Sequence, residues 1–473
     1  MTLKRTKIVA TLGPASSNKK TIREMVLAGV NVFRINFSHG DHEFVRDVIK
    51  SIREVDRSLN TYTAILGDLQ GPKIRLGALK KEGLKVKKGA TIVLTTEAII
   101  GDSKKAHINY DLFPQDVSEG QRILIDDGKL VLTVIDTDNV KSVTARFEND
   151  GILNSRKGVN LPDTKVSIPS LTEKDKNDLQ FALDQNIHWI GLSFVRKHED
   201  IVQLHEIIKD HPNSALVVAK IEKPEALENL DDIIQETDAI MVARGDLGVE
   251  MPLEEVPLLQ KSIVQKCQMQ AKPVIIATQM MESMIDSISP TRAEVNDVAN
   301  AVMDGADAVM LSGETSVGKH PVEVIKVMNR ILVETETFEG IYHSRFQPLI
   351  NTNRFITDNV CFTALDLAEY VSAKGIITMT FSGYTAFKIS SFRPKSGIFV
   401  FTGNRKLLKT MSLVWGTQAF YYDKFNSTDE TIADIKAYLR ENGHLEEDDL
   451  VVNIASMPIK SKGMSNMIKL SYV

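Results

Sequence analysis

The chain has 473 residues, a length that predicts two or three domains rather than one. Hydrophobic residues make up 43% and charged residues 25%, and the net charge of −5 gives no electrostatic reason to expect nucleic acid or an anionic membrane as a partner. No stretch approaches the roughly 18 apolar residues of a transmembrane helix. Two cysteines, Cys267 and Cys361, cannot make a disulfide framework or a thiolate metal site, so we expect a cytoplasmic protein.

Short apolar runs rich in β-branched residues alternate with helical segments, which is typical of parallel βα units. The first run, KIVAT, is too short for a signal peptide. Ser17 is a candidate N-cap for a helix ending at Gly29, and Thr291 with Glu294 predicts a capping box for a helix ending at Gly305. The predicted strands are KIVAT, NVFRIN, TAILGD, WIGLSF, LVVAKI, AIMVAR, PVIIAT and AVMLSG. Eight such strands predict a (β/α)8 TIM barrel, with its active site at their carboxyl ends.

Two segments interrupt this pattern. The first, of about a hundred residues between the third and fourth strands, is far longer than a βα loop. It contains RILIDDGKLVLTVID, which predicts a hairpin turning at Asp127-Gly128, and then the strand SVTARF. We therefore predict an inserted all-β lid domain at 71–170. A C-terminal α/β domain is predicted at 343–473, with strands at GIITMT, IFVFT, QAFYY, LVVNIA and MIKLSY. The barrel then takes 1–70 and 171–342.

Polar residues stand at the ends of most of the predicted barrel strands. They are Thr11, Arg34, Asn36, Ser38, Asp68, Ser193, Lys220, Glu222, Arg244, Asp246, Thr278, Ser312 and Glu314. Burying so many polar groups without partners would be costly, so we expect them to share one site. Two of them, Glu222 and Asp246, are carboxylates that suit a hard cation such as Mg²⁺. The positive charge of Arg34, Arg75 and Lys220 suits a phosphoryl group in transfer. The sequence thus predicts a metal-dependent phosphotransferase.

The run GETSVGK, from Gly313 to Lys319, imitates a phosphate-binding P-loop. His320 follows where a P-loop has the Ser or Thr that holds the metal, and the run does not follow a first Rossmann strand. We interpret it as a turn before a helix that begins at Pro321.

Nine stretches of the sequence resemble the pyruvate kinase family, in the family's order. They are TKIVATLGPAS, VFRINFSHG, GDLQGPKIR, KGVNLP, SFVRKHED, KIEKPEA, VARGDLGVE, IATQMMESM and MLSGET. The resemblance continues more weakly at TFSGYTA, and no phosphocarrier-type domain is expected after it. It implies a bacterial-type, single-chain enzyme of glycolysis, expected as a homotetramer. Such enzymes transfer a phosphoryl group from phosphoenolpyruvate to ADP, giving pyruvate and ATP.

The resemblance also implies roles for the residues at the strand ends. Glu222 and Asp246 would hold Mg²⁺ or Mn²⁺, and Lys220 would stabilise charge on the phosphoryl group and on the enolate. Arg34 would bind the phosphate of phosphoenolpyruvate, while its carboxylate would be bound by Gly245, Asp246 and Thr278. The enolate proton would come from one of two sources, which the sequence leaves open: Thr278, or a water relay with Ser312 and Glu314.

The nucleotide and a monovalent cation have implied sites as well. Contacts to the nucleotide are expected from Arg34, Asn36, His39, Arg75 and Lys157. The family's monovalent-cation site corresponds to Asn36, Ser38, Asp68 and the carbonyl of Leu69. Potassium-dependent members carry Glu where this chain has Lys73, so we predict that the lysine ammonium replaces K⁺ and that K⁺ is not required.

The loop Thr380-Phe381-Ser382-Gly383-Tyr384-Thr385 joins a predicted strand to a helix. Hydroxyl residues and glycine at a helix N-terminus favour phosphate binding, and the equivalent loop of allosteric relatives binds a sugar phosphate. We therefore expect a phosphorylated small-molecule effector here, with Lys460–Gly463 closing over it. A simple capped turn is the structural alternative.

Two other functions would use part of the same residues. A Mg²⁺-dependent aldolase acting on phosphoenolpyruvate or pyruvate would use paired carboxylates but would not need Lys220, the nucleotide residues or the lid. A catalytically inactive relative that serves as a regulatory subunit would lack some of the site residues, and none is missing.

Overall fold

The computed structural model describes residues 4–38, 40–342, 353–424, 427–458 and 463–473. The chain begins with β1 (Lys7–Thr11), α1 (Lys19–Ala28), β2 (Val32–Asn36), α2 (His42–Leu59) and β3 (Ala64–Asp68). The prediction that Ser17 caps α1 is wrong. The N-cap is Asn18, because its side-chain oxygen reaches the free backbone N–H of Thr21. The helix ends at Gly29 with a φ of 117°, as predicted.

An all-β domain follows β3. Its elements are β4 (Leu84–Val86), β5 (Thr91–Thr95), β6 (Lys105–His107), α3 (Phe113–Asp116), β7 (Arg122–Ile125), β8 (Leu130–Thr137), β9 (Ser142–Phe147), β10 (Gly151–Leu153) and β11 (Val159–Asn160). The main sheet has the order β11-β7-β8-β9-β5-β6, and β4 pairs separately with β10. The predicted hairpin is confirmed, since β7 and β8 are antiparallel around Asp127-Gly128. The domain has its own core, which includes Leu94, Ile123 and Phe147.

The chain then returns to the barrel. The next elements are α4 (Glu173–Asp184), β12 (Trp189–Leu192), α5 (His198–Lys209), β13 (Leu216–Ile221), α6 (Pro224–Glu228), α7 (Leu230–Glu236), β14 (Ala239–Ala243), α8 (Arg244–Glu250), α9 (Val256–Met269), β15 (Val274–Ala277), α10 (Arg292–Asp304), β16 (Ala308–Leu311), α11 (Gly313–Ser316) and α12 (Pro321–Thr335). Short 3₁₀ helices lie at Glu282–Ile285 and Glu339–Ile341. The Thr291–Glu294 capping box and the left-handed Gly305 are confirmed at the two ends of α10.

The eight predicted parallel strands close into a barrel with the order β1-β16-β15-β14-β13-β12-β3-β2. The inward side chains form a packed interior that includes Val9, Leu66, Trp189 and Met241. A larger cluster lies between the strands and the outer helices. The fold class predicted from the sequence, a TIM barrel with an inserted β-domain and a C-terminal α/β domain, is confirmed, whereas the domain boundaries stay predictions.

The C-terminal domain is a five-stranded sheet, as far as the structure describes it, with the order β19-β18-β17-β20-β21. Among these described strands, only β21 runs antiparallel to its neighbour. The elements are α13 (Phe355–Tyr370), β17 (Gly375–Met379), α14 (Tyr384–Ser391), β18 (Gly397–Thr402), α15 (Arg405–Thr410), a 3₁₀ turn at Met411–Leu413, β19 (Thr417–Tyr421), α16 (Thr428–Glu441), β20 (Leu450–Ala455) and β21 (Met467–Tyr472).

The C-terminal domain packs against the amino-terminal end of the barrel. Leu413 and Phe387 belong to the same cluster as the barrel interior, so this domain helps to fill the end opposite the strand carboxyl termini. A buried ion pair joins Arg393 to Asp307 at 2.9 Å. The lid domain is inserted after the carboxyl end of β3, and its Asn160 donates to Glu250 after β14, so the lid faces the carboxyl ends of the strands. Within the described ranges, no helix is long and apolar enough to cross a membrane.

The GETSVGK run forms a tight turn between the last barrel strand and its helix, as predicted. A β-carbon on Gly318 would lie 2.3 Å from the carbonyl oxygen of Glu314, so only glycine fits there. Lys319 is paired with Asp286 at 2.8 Å, and α12 begins at Pro321.

Candidate functional site

The ammonium group of Lys220 is the centre of the site. Lys220 is the fifth residue of β13, and its Nζ lies 2.9 Å from Glu222 Oε1 and 3.2 Å from Asp68 Oδ1. It also donates a hydrogen bond of 2.7 Å to Ser193 Oγ. Residues from β3, from the end of β12 and from β13 thus fix one positive charge at the carboxyl end of the barrel.

A second cation, Arg34, is held beside it. Arg34 stands on β2, and its Nε donates to Asp68 Oδ2 at 2.7 Å, while a terminal nitrogen lies 2.6 Å from the same oxygen. Its other terminal nitrogen donates to the hydroxyl of Thr11 at 3.1 Å. Asp68 therefore bridges Arg34 and Lys220, and it holds both cations at fixed positions before any substrate binds.

The charges in this cluster shift one another's pKa values. Burial alone would lower the pKa of Lys220, but Asp68 and Glu222 raise it well above its usual value. Burial alone would raise the pKa of Asp68, but Lys220 and Arg34 hold it below the usual value. The lysine therefore stays charged, and so does the aspartate that bridges it.

Glu222 and Asp246 fit a divalent metal. Glu222 is buried, and burial raises its pKa; Lys220 opposes this shift, and the negative charge of Asp246 adds to it. The charge of Asp246 therefore acts on Glu222, which favours the predicted sharing of one cation by the two carboxylates. No cluster of three or more His, Cys, Asp or Glu side chains suitable for a metal is found among the described residues. An all-oxygen pair with other positions left to water and substrate suits Mg²⁺ or Mn²⁺ better than Zn²⁺.

Thr278 orients the start of α8. Its hydroxyl accepts a hydrogen bond of 2.7 Å from the backbone N–H of Gly245 and donates one of 2.6 Å to the carbonyl oxygen of Ala277. Thr278 has a φ of 68° and the next residue, Gln279, a φ of 56°, so β15 ends at Ala277, one residue before the end of the predicted run PVIIAT. A left-handed β-branched residue is strained, and such strain is concentrated at functional sites.

Ser312 and Glu314 lie after β16. The carboxylate of Glu314 accepts hydrogen bonds from the backbone N–H groups of Ser312 at 2.7 Å and Met281 at 3.2 Å. Burial raises the pKa of this carboxyl group, although both hydrogen bonds oppose the shift. Ser312 and Glu314 are thus adjacent at the end of β16, and the hydroxyl of Thr278 is the other predicted source of the proton.

The cleft between lid and barrel contains Lys73. It is half-buried and lines the same cavity as Asp127, Asn160 and Asp246. No carboxylate in the described part of the chain lies within 4.0 Å of its ammonium group, so no ion pair there neutralises it. Lys73 is thus a cation at the edge of the cleft, and its predicted role in place of K⁺ stays a prediction.

The predicted nucleotide residues lie at two places. In the lid, Lys157 pairs with Asp126 at 3.0 Å, and Arg75 donates to the carbonyl oxygen of Arg156 at 3.3 Å. On the barrel, Asn36 Oδ1 accepts from the N–H of Ser38 at 3.0 Å. His39 lies outside the described residues.

The predicted monovalent-cation site is occupied by internal contacts. Asp68 is already bound to Arg34 and Lys220, and the carbonyl oxygen of Leu69 accepts a hydrogen bond of 2.8 Å from Ser193 Oγ. Asn36 is bonded to Ser38, as described above. Ser193, which sequence reasoning noted only as a polar strand end, therefore connects Leu69 to Lys220.

Three further side chains were missed by sequence reasoning. Glu250 accepts hydrogen bonds from Lys223 at 2.6 Å and from Asn160 of the lid at 2.8 Å. Glu250 lies four residues after Asp246 in α8, and this helical spacing was the available signal. The contact with Asn160 joins segments 90 residues apart, so no local pattern could reveal it.

The predicted effector loop borders a pocket of about 690 Å³ in the C-terminal domain. Thr380 Oγ accepts from the N–H of Gly383, whose φ is 89°, just before α14 begins at Tyr384. Arg354 stacks over the Tyr384 ring at 4.1 Å and also lines the pocket. The structure therefore adds a cation that sequence reasoning did not single out. Lys460 and its two following residues lie outside the described part of the chain.

The chain matches known families over nearly its whole length. Residues 3–325 match the family described as pyruvate kinase, barrel domain, and residues 358–471 match pyruvate kinase, alpha/beta domain. A pyruvate kinase of Corynebacterium efficiens is 41% identical, over 98% of this chain and 97% of its own length. One from Clostridium acetobutylicum is 39% identical over the full length of both chains.

A solved structure gives the same result. The crystal structure of a pyruvate kinase from Cryptosporidium parvum superposes with a TM-score of 0.93 at 34% identity, over 100% of this chain and 96% of that one. Likeness at this level in both sequence and structure covers the barrel, the lid and the C-terminal domain together. The chain is therefore a phosphotransferase, and it belongs to the pyruvate kinase family.

Proposed function

We propose that this enzyme transfers the phosphoryl group of phosphoenolpyruvate to ADP, giving pyruvate and ATP, and that it needs Mg²⁺ or Mn²⁺. The observation that carries the proposal is the buried ammonium of Lys220, fixed between Asp68 and Glu222 beside Arg34. Phosphoryl transfer requires little covalent help, so preorganised positive charge is the main contribution that a protein can make.

In the proposed reaction, the bond from phosphorus to the enol oxygen breaks as a bond to the terminal phosphate oxygen of ADP forms. Lys220 stabilises negative charge on the phosphoryl oxygens and on the departing enolate oxygen, and Arg34 binds the phosphate. Gly245, Asp246 and Thr278 bind the substrate carboxylate. A divalent metal held by Glu222 and Asp246 supplies Lewis-acid stabilisation when it is bound.

The enolate carbon must then take a proton. Thr278 and a relay through Ser312 and Glu314 both remain candidates. In the structure, the Thr278 hydroxyl donates to the Ala277 carbonyl, and Glu314 accepts two backbone N–H groups. A direct donor role for Thr278 would require its hydroxyl to turn away from that carbonyl.

Nucleotide binding is proposed for residues on both sides of the cleft: Arg34, Asn36, His39, Arg75 and Lys157. The lid would exclude water, which protects the phosphoryl group from hydrolysis and strengthens the electrostatic interactions inside. The ion pair of Lys157 with Asp126 is partly exposed, so ADP phosphates could compete for this lysine at little cost.

Potassium independence is a further part of the proposal. Lys73 lines the same cleft as Asp246 and forms no ion pair within the described residues, and both observations support its use as a built-in replacement for K⁺. Such a charge would act on the same phosphoryl group as Lys220 and Arg34.

We also propose allosteric control through the loop 380–385. Arg354, the start of α14 and the hydroxyls of Thr380 and Ser382 could together bind a phosphorylated small molecule.

A homotetramer and a cytoplasmic location are proposed from the family. The exposed apolar side chains of Leu253, Leu258 and Ile288 support self-association.

The test is formation of ATP from phosphoenolpyruvate and ADP, with and without Mg²⁺, Mn²⁺ and candidate phosphosugars. We expect metal-dependent ATP formation. One phosphosugar should lower the phosphoenolpyruvate concentration that gives half the maximal rate. Consumption of phosphoenolpyruvate without ATP formation would favour the aldolase alternative. No effect of any phosphosugar or nucleoside monophosphate on the parent enzyme would refute the effector proposal alone.

A further inference from the structure

One buried carboxylate, Glu250, lies where the lid meets the barrel. Its Oε1 accepts a hydrogen bond of 2.6 Å from Lys223 Nζ and one of 2.8 Å from Asn160 Nδ2. The Glu250 side chain is 1% exposed and that of Lys223 is 12% exposed. Asn160 ends the lid strand β11, which pairs with β7, so this contact ties the lid sheet to the barrel.

The three partners belong to segments that carry candidate site residues. Lys223 directly follows Glu222, and Glu250 lies one helical turn after Asp246 in α8. Asn160, Lys223 and Asp246 line the same cleft. One carboxylate therefore connects Asn160 of the lid to both segments that carry the proposed metal ligands.

The electrostatic setting of Glu250 suits docking of the lid. Arg122 is another lid residue, and its hydrogen bond to Asp163 is the main cause that raises its pKa. The negative charge of Glu250 contributes to the same upward shift. Glu250 Oε2 is buried and accepts no hydrogen bond within the described ranges. A buried, incompletely satisfied carboxylate is costly for stability, and the lid contact is a reason to keep a charge there.

We propose that Glu250 is a positioning residue for phosphoryl transfer, which docks the closed lid through Asn160 and holds the segments of Glu222 and Asp246 through α8 and Lys223. Glu250 acts through these neighbours and touches no reacting atom. The effect on turnover rests on the proposed transfer from phosphoenolpyruvate to ADP, whereas the docking contact itself does not.

The proposal is tested by adding a carboxylate at position 160 and then removing the carboxylate at position 250. Asn160→Asp places a second carboxylate against Glu250, and like charges at this distance repel, so we expect kcat to fall about tenfold or more. Adding Glu250→Gln supplies an amide N–H that can donate to the new lid carboxylate, which Lys223 can also pair with. The double variant should recover at least about threefold in kcat over Asn160→Asp, because the two positions are coupled.

The matched control is Asn149→Ala. Asn149 is also a lid asparagine, but among the described residues it bonds only lid backbone groups, those of Lys129, Val131 and Asp150. Amide hydrogen exchange over 159–166 should be faster in Asn160→Asp, should return toward the parent in the double variant, and should stay unchanged in Asn149→Ala. In Asn160→Ala, kcat should fall and amide exchange over 159–166 should become faster, each by less than in Asn160→Asp.

Each outcome decides something. A double variant no better than Asn160→Asp, or an Asn149→Ala variant with the same loss, would overturn the role of Glu250. If the parent makes no ATP, the proposed transfer fails, but the exchange measurements still decide whether the lid docks on Glu250.

Discussion

Lys220→Met should lower turnover by at least about a hundredfold. Loss of one preorganised group that stabilises developing charge costs about 2.7–4 kcal/mol, which corresponds to about 10²–10³ in rate. The structure favours the upper part of this range, because Lys220 is held by Glu222, Asp68 and Ser193 at 2.7–3.2 Å and needs little reorganisation. The assay is ATP formation at saturating phosphoenolpyruvate, ADP and Mg²⁺.

The same substitution should also destabilise the folded protein, which sequence reasoning did not anticipate. Asp68 keeps Arg34 at 2.6 Å, but Glu222 loses its ammonium partner and retains the backbone N–H of Phe194. Removing one partner of a buried ion pair typically costs about 3–5 kcal/mol. Thermal unfolding of parent and variant measures the loss.

The pH dependence of this loss has a definite sign. Burial already raises the pKa of Glu222, and without Lys220 it should rise further. A carboxyl group with a raised pKa in the folded state stabilises the fold below its unfolded pKa, and that stability is lost as the pH rises through the folded pKa. The deficit of Lys220→Met should therefore be smaller near pH 5 than near pH 8.

Lys266→Met is the matched control, because Lys266 pairs with Asp231 at the surface of the barrel, and it should change neither measurement. Turnover of Lys220→Met within about tenfold of the parent would refute the proposed charge stabilisation. A stability deficit that is equal at both pH values would refute the account of Glu222.

Three further predictions concern the metal, potassium and the substrate carboxylate. Glu222→Gln and Asp246→Asn should each raise the Mn²⁺ concentration needed for half-maximal binding by about tenfold or more, measured directly by electron paramagnetic resonance and again as ATP formation. The parent should keep most of its turnover in a buffer free of K⁺ and NH₄⁺ at constant ionic strength, and Lys73→Glu should lose turnover and recover part of it when K⁺ is added. Thr278→Ser should keep most of the parent turnover, whereas Thr278→Val should not.

Much of the fold was predictable because barrel strands are buried on both faces and therefore read as short apolar runs. Boundaries failed where special backbone conformations occur. WIGLSF was predicted as a strand through Phe194, but β12 ends at Leu192, and Phe194 has a φ of 56°. Such left-handed residues at the carboxyl ends turn side chains toward the site, and nothing in local propensity identifies them.

Partners within the site were harder to predict than its members. Strand ends on a barrel meet at one face, so Lys220, Glu222 and Asp68 could be placed together from the sequence. The pairing partner of each of these side chains depends on small differences in the distances between charged atoms across the barrel. Sequence reasoning assigned Asp68 to a cation site, and the structure shows it bound to Arg34 and Lys220.

The Thr278 prediction follows from what its hydroxyl binds. The Gly245 N–H lies at the start of the segment that carries Asp246, and the Thr278 hydroxyl is its acceptor at 2.7 Å. Valine has the same shape but leaves that donor unpaired, at a cost of about 1–3 kcal/mol, or about 5–150-fold if the cost falls on turnover. Serine retains the acceptor. The comparison is kcat and the KM for phosphoenolpyruvate in both variants: a loss in valine alone supports the hydroxyl, whereas parent-like turnover in Thr278→Val would exclude it both as the anchor of Gly245 and as the proton donor.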